Sequence, residues 1–292
     1  MKTPRYTVKD FNSQFPDDGA CLDFIFDQRY PHGGTCECGK TDCFYRIAKR
    51  RCYCCSHCGR SISPTEGTIF HKSSTPLKTW FFALFLMTAS KNGVAAKEIE
   101  RQTGVTYKTA WRMAHQLRKL MDQGGNLLSG VVEADETYVG GYKKGLRGGR
   151  NTKSKTPVIG MLERGGDVRA KVVQNADSGT LTINAVQTVN PGSTICTDEW
   201  KGYNYLKKYG FVHCRVNHSA DEWVAGIAHT NSIEGFWSQL KRSINGTFHH
   251  VSKQHLQAYV DEFAFRYNRR TSERSMFDHV SERVAERHAV AA

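Results

Sequence analysis

The sequence predicts a mixed α+β fold. Three patterns carry that prediction: cysteines crowded between positions 36 and 58, helical periodicity over residues 75–122, and strand-like stretches alternating with helix-like ones over 129–285. In the last zone, the order strand–strand–strand–helix–strand–helix implies a mixed sheet flanked by helices. The chain has 292 residues, enough for one large unit or two to three small ones. Its 39% hydrophobic and 24% charged content exclude a globally disordered chain. The longest apolar stretch, Trp80 to Met87, falls far short of a membrane span. The N-terminal MKTPRYTVKDFNSQF has neither the apolar core nor the small-residue cleavage site of a secretory signal. A soluble, cytoplasmic protein without a membrane partner is therefore expected. Lys plus Arg number 41 against 28 Asp plus Glu, a formal charge of +13. That excess points to a polyanionic partner, of which nucleic acid is the commonest.

Taken in chain order, Gly19 to Tyr30 reads as a short helix around Leu22, Phe24 and Ile25. Seven of the ten cysteines follow, at 36, 38, 43, 52, 54, 55 and 58. In a cytosolic chain such crowding reads as metal binding rather than as disulfides. Cys36-Glu-Cys38 and Cys55-Ser-His-Cys58 form two tight pairs, each followed by Gly (Gly39, Gly59), which lets the chain turn so that backbone N–H groups face the thiolates. Two such knuckles joined by a hairpin make a zinc ribbon, four thiolates suiting tetrahedral Zn²⁺. The first knuckle is one residue short of the usual spacing, so Cys43 stands as an alternative ligand. Arg46, Lys49, Arg50 and Arg51 beside Tyr45 and Tyr53 form either a phosphate-contacting edge or a solvated one.

Residues 94–118 carry a helix–turn–helix pattern. Ala96 and Ile99 point inward from the first helix, Gly104 supplies the turn, and Thr106 caps the second. Ala110, Met113, Ala114 and Leu117 then recur at core spacing, leaving Lys108, Arg112 and Thr109 outward, where a recognition helix meets DNA. A plain helical hairpin gives the same periodicity. Gly124, Gly125 and Asn126 mark a linker, and YKKGLRGGRNTKSK (142–155) is a basic loop with six Lys/Arg and no acid.

Beyond the linker, two apolar strands are expected to end in a carboxylate, Asp135 and Asp198, the second followed by a helix over about Lys201 to Tyr209. Between His229 and Ile244, Ile233, Phe236, Trp237, Leu240 and Ile244 share one face of a helical wheel. Asn231, Glu234, Ser238 and Lys241 share an adjacent polar stripe. Packed on the sheet, that helix would aim Asn231 and Glu234 at the two aspartates. Oxygen ligands clustered so suit Mg²⁺ or Mn²⁺, and a pair of such ions serves phosphodiester cleavage. Ordinary surface carboxylates fit the same spacing.

The stretches CSHCGRSISPTEGTIFHKSSTPLKTWF (55–81), GVAAKEIERQTGVTYKTAWRMAHQLR (93–118), VEADETYVGG (132–141), TDEWKGY (197–203) and HTNSIEGFWSQLKRSINGTFHHVSKQHLQAYVDEFAFRYNRR (229–270) resemble the ISXO-type insertion-sequence transposases of the DDE superfamily. They occur in the family's order and cover most of residues 20–285. The resemblance implies an N-terminal segment and zinc ribbon over 1–70, a helix–turn–helix over 71–123 and an RNase H-like catalytic domain over 127–285. It implies that Asp135 and Asp198 are the first two metal-binding carboxylates. For the third, Asn231, Glu234 and Lys241 all stay in play, with Glu234 preferred because it is charged and seven residues before Lys241. The Cys36-x-Cys38 spacing departs from the family's. The implied chemistry is phosphodiester hydrolysis at the element's end, then attack of the freed 3′-OH on target DNA. Expected partners are double-stranded DNA, as terminal inverted repeats and target, and further copies of the chain on that DNA, near the nucleoid. Lys143, Lys144, Arg147 and Arg150, with Arg266, Arg269 and Arg270, are expected to hold DNA near the site. The alternatives are a non-catalytic DNA-binding regulator and a nuclease that cuts without joining.

Overall fold

The computed structural model describes residues 5–48, 50–140, 155–198, 201–216 and 229–287. Two compact units emerge, Met1–Leu120 with Thr271–Ala292, and Met121–Arg270.

In the first unit, α1 (Val8–Gln14) precedes the expected short helix, α2 (Asp18–Arg29). Sequence reading passed over α1, although Thr7 and Asp10 form a reciprocal capping box at its start. The cysteine zone folds as an antiparallel sheet of β1 (Phe44–Arg46), β2 (Tyr53–Cys55) and β3 (Ser61–Ile62). The apolar run becomes α3 (Leu77–Ala89). Its rings pack with Phe11 and Phe15 from the N-terminal segment, and those two in turn pack with Phe277 from the helix Met276–Ser281. That packing draws residues 271–285, read in the sequence with the last zone, into this unit. Next come α4 (Ala96–Thr103) and α5 (Tyr107–Arg118). Between them Gly104 is left-handed (φ 73°), and the Thr106 side chain accepts from the Thr109 N–H. Ile99, Ala110, Met113, Ala114 and Leu117 are buried, while Lys108 and Arg112 are exposed.

The second unit holds a five-stranded sheet of β4 (Val131–Val139), β5 (Thr156–Glu163), β6 (Val168–Val172), β7 (Thr194–Thr197) and β8 (Val212–Arg215). The strand order is β6-β5-β4-β7-β8, antiparallel on the β6 side and parallel from β4 to β8. This is the expected mixed sheet. On one face α6 (Ser178–Thr188) and two 3₁₀ turns (Lys201–Tyr203, Leu206–Tyr209) cover Val132, Ala134, Ile159, Met161 and Ile195. On the other, α7 (Asn231–Ser243) and α8 (Leu256–Asn268) cover Val139, Val158, Leu162 and Ala170. The alternation along β4 and β5 follows from the period-2 pleat.

Two expectations are corrected here. Residues 201–209 form two 3₁₀ turns instead of one helix, with Gly210 left-handed (φ 84°) just beyond. Asp135 does not end its strand: β4 continues to Val139 because β5 pairs with it along its length, from Val132↔Glu163 to Val139↔Thr156.

Among the described residues the outer edge of β6 has no strand neighbour, and side-chain amides occupy it. Gln123 bonds both the N–H and the C=O of Ala170 (2.6 Å each). Gln257 takes the Val172 N–H (2.7 Å), and Asn268 takes the Val168 N–H (2.7 Å). Each amide supplies the donor and acceptor pattern of a missing strand.

Candidate active site

Strand register brings the two aspartates together. β4 and β7 run parallel with Val131↔Thr194, Val132↔Ile195 and Glu133↔Cys196. Two residues further on, that register sets Asp135 beside Asp198, which follows the last residue of β7. Adjacent strands lie roughly 4.8 Å apart.

α7 crosses the same face. Ile233, Phe236, Trp237, Leu240 and Ile244 are all buried, and Asn231, Glu234, Ser238 and Lys241 are all exposed, as the wheel predicts. The Trp237 indole N–H donates to Asp135 Oδ2 (3.0 Å). Gly160 makes room for this. It stands opposite Asp135 on β5, and a Cβ there would meet the Trp237 ring at 2.4 Å. Thr230 does not cap the helix; its hydroxyl donates to Glu234 Oε1 (2.8 Å).

The electrostatics show how crowded the carboxyls are. Burial, then the charge of Asp198 and to a smaller degree that of Glu234, push Asp135 up to about 6. Glu136, on the opposite face of β4, is pushed up to about 7 by burial, then by Asp135 and Asp198. Its partner is the hydroxyl of the fully buried Tyr203, which donates to Oε2 (3.1 Å). Asp198 and Glu234 thus both act on Asp135, and carboxylates are the ligands that suit Mg²⁺ or Mn²⁺, but among the described residues only four cysteines bring three or more ligand atoms within 4.8 Å of one another.

Sequence reasoning missed Glu133, which shares the face of Asp135. It is fully buried and pairs with Arg164 (Nε to Oε1, 2.8 Å). It also accepts the backbone N–H groups of Ser232 (2.8 Å) and Ile233 (3.0 Å). Alternation along VVEAD could have signalled the shared face; nothing in the sequence announces the distant Arg164.

In the first unit, the Sγ atoms of Cys36, Cys38, Cys55 and Cys58 all lie within 4.8 Å of one another, with Cys36···Cys58 at 3.6 Å and Cys38···Cys55 at 3.8 Å. Four thiolates at about 2.3 Å from one Zn²⁺ would stand roughly 3.8 Å apart, so the set fits zinc. Gly39 (φ 84°) and Gly59 (φ 73°) make the knuckle turns, and backbone N–H groups of Cys58 and His57 pull the Cys55 thiol down to about 6. Cys43 lies 3.4 Å from Cys55 but outside the foursome.

Lys143, Lys144, Arg147 and Arg150 lie outside the described residues. Arg266 is a correction. It is buried in α8 and paired with the fully buried Glu262 (2.7 Å), so it cannot reach DNA without breaking a buried ion pair. Arg269 and Arg270 lie over the rings of Phe265 and Tyr267. Among the described residues no helix is long and apolar enough to cross a membrane.

Comparison with known proteins bears on this arrangement. A sequence model of the ISXO2-like transposase domain matches residues 127–268. An uncharacterized protein in the transposable element ISH50 of Halobacterium salinarum is 28% identical over 241 residues, covering 76% of this chain and 79% of that protein. An uncharacterized transposase-like protein of Haemophilus influenzae is 33% identical over 97 residues, covering 33% of this chain and 77% of that protein. Among solved structures, a simian T-cell lymphotropic virus intasome aligns at TM-score 0.31 and 12% identity over 72% of this chain and 74% of that one. The Mos1 strand transfer complex aligns at TM-score 0.27 and 12% identity over 71% and 75%. Likenesses this slight carry no weight for the fold.

Proposed function

The chain belongs to the ISXO2-like transposase family, and from that premise we propose that it binds the ends of an insertion sequence and catalyses metal-dependent DNA cleavage and strand transfer. The observation that supports this reading is the β4–β7 register that sets Asp135 beside Asp198, with Glu234 of α7 acting on the Asp135 carboxyl as well. In this proposal the second unit is an RNase H-like catalytic domain, and those three carboxylates, with Asn231 beside them, hold Mg²⁺ or Mn²⁺. A cation held by these residues would supply the Lewis-acid chemistry that activates an attacking oxygen and stabilises a leaving one.

The chain's own residues do the rest. The Trp237 N–H fixes the orientation of the Asp135 carboxylate, and Thr230 does the same for Glu234. Lys241, two turns along the exposed stripe of α7, contacts a phosphate of the bound strand. In the first unit Lys108 and Arg112, exposed on α5 with Tyr107 and Trp111, meet duplex DNA as a recognition helix would. The Cys36, Cys38, Cys55 and Cys58 cluster binds structural Zn²⁺. The basic segment with Lys143, Lys144, Arg147 and Arg150 grips the DNA backbone, and two ends are brought together by a multimer on DNA.

A strand-transfer assay with Mn²⁺ and labelled element ends, wild type against Asp198→Asn, tests the proposal. Joined products in wild type alone support it. Cuts without joining leave a nuclease, and binding without either product leaves a DNA-binding regulator.

A further inference from the structure

Glu133 is a fully buried carboxylate on the strand that carries Asp135, two positions earlier and on the same face. All of its known partners belong to α7's first turn or to the residues that brace it. Oε2 accepts the backbone N–H groups of Ser232 (2.8 Å) and Ile233 (3.0 Å). Oε1 accepts the Ser232 hydroxyl (3.1 Å) and Arg164 Nε (2.8 Å), with His229 Nδ1 3.1 Å away. Arg164 also donates from Nη2 to the His229 carbonyl (2.8 Å), so the guanidinium ties the chain entering the helix to the same carboxylate.

Helix starts leave orphan N–H groups that a Ser, Thr, Asp or Asn side chain at the N-cap ordinarily satisfies. Thr230 holds the N-cap position here, yet its hydroxyl goes to Glu234. The capping acceptor comes instead from another element, 99 residues away in sequence. A buried ion pair is a poor route to stability alone, since desolvation consumes most of its gain. What this one does supply is a rigid link between β4, with Asp135, and the turn of α7 that carries Asn231 and Glu234.

We propose that Glu133 is a positioning residue for the divalent-cation site. Its carboxylate holds the first turn of α7 at the distance from β4 that lets Glu234 and Asp135 serve one cation. This rests on the reading of that site given above. Arg164 pairs with the Glu133 carboxylate and orients it, and neither residue touches the cation. Residues that orient metal ligands from behind typically govern affinity for the metal by roughly 10–100-fold.

The experiment uses the full chain as wild type, Glu133→Gln, Glu133→Asp and Asp135→Asn. Glu133→Asp keeps the charge that Arg164 pairs and shortens only the reach, so it decides the matter where Glu133→Gln fails to fold. Mn²⁺ binding to the DNA-free protein is read from the electron paramagnetic resonance of unbound Mn²⁺, alongside the melting temperature and cleavage rate against Mn²⁺ concentration. The expected result is a Mn²⁺ dissociation constant roughly 10–100-fold higher in the Glu133 variants. The half-saturating Mn²⁺ for cleavage should rise in step, and the rate at saturating Mn²⁺ should fall far less. Wild-type Mn²⁺ affinity combined with a lowered melting temperature would make Glu133 a purely structural residue and overturn the inference. Unchanged Mn²⁺ binding in Asp135→Asn would instead bring down the cation site itself, and the inference with it.

Discussion

Two carboxyls and one glycine decide the chemistry of β4. Asp135 and Glu136, at about 6 and 7, hold protons in the metal-free protein where isolated carboxyls are ionised. A protonated carboxyl cannot ligate, so Mn²⁺ affinity is expected to rise about fourfold between about pH 5.5 and 7.5 as Asp135 ionises. Isothermal titration at the two pH values checks this, and a flat profile would contradict it. Both pKa values are raised above those of the unfolded chain, so the folded protein binds more protons than the unfolded one between roughly pH 4 and 7. The contribution of the pair to stability is therefore greatest at the acidic end and is lost as pH rises through about 6 to 7. Metal-free Asp135→Asn should accordingly melt above wild type at pH 7.5, by on the order of 2 kcal/mol in stability. At Gly160 the constraint is steric. Alanine there drives Trp237 off the sheet, with an expected loss of about 1–3 kcal/mol, a shifted tryptophan emission and reduced cleavage. Trp237→Phe, which keeps the bulk and loses the bond to Asp135, should reduce cleavage with a smaller cost in stability.

At the scale of elements, edge strand and ribbon each solve a local problem. β6 ends the sheet, and Gln123, Gln257 and Asn268 pair its outward backbone groups. Gln257→Ala removes the acceptor for Val172 and a donor to Ala170. The expected cost is about 1–3 kcal/mol, with faster amide exchange at Val172 and an increased tendency to associate through the bared edge. Exchange rates equal to wild type would show that the amides do not protect it. In the ribbon, Cys43 sits against Cys55 without joining the foursome. Zinc content measured by mass spectrometry should fall steeply in Cys38→Ser and stay near wild type in Cys43→Ser. The reverse would exchange the two ligands.

For the whole molecule, the formal charge of +13 is the property that should govern DNA affinity. Replacing Lys143, Lys144, Arg147 and Arg150 together should weaken binding at every sequence and lower the salt slope by up to about four, one per lost phosphate contact. An unchanged slope would remove the segment from the interface. Much of the architecture was legible beforehand. The wheel over residues 229–244 named every buried and exposed position of α7 that it assigned, and the paired cysteines with their glycines marked the ribbon knuckles. The paired helices around Gly104 were readable from turn and cap residues. Less legible were the length of β4 and the reassignment of residues 271–285, because each depends on a partner distant in sequence, and the 3₁₀ turns after Asp198 and the burial of Arg266 were not read either. β4 runs on past Asp135 because β5 pairs with it; Arg266 is buried in an ion pair with the fully buried Glu262.

The sequence by itself determined which residues can face inward, where helices start, and that carboxylates, thiols and positive charge are present in workable spacing. These follow from local rules: the periods of helix and strand, capping, and the chemistry of side chains. Only the tertiary structure decided that Asp135 stands beside Asp198, that Gly160 opens the space for Trp237, and that Glu133 caps the helix packed over its own face of the sheet. Register and packing are non-local, set by which strands pair and which faces meet, and no stretch of the chain holds that information alone.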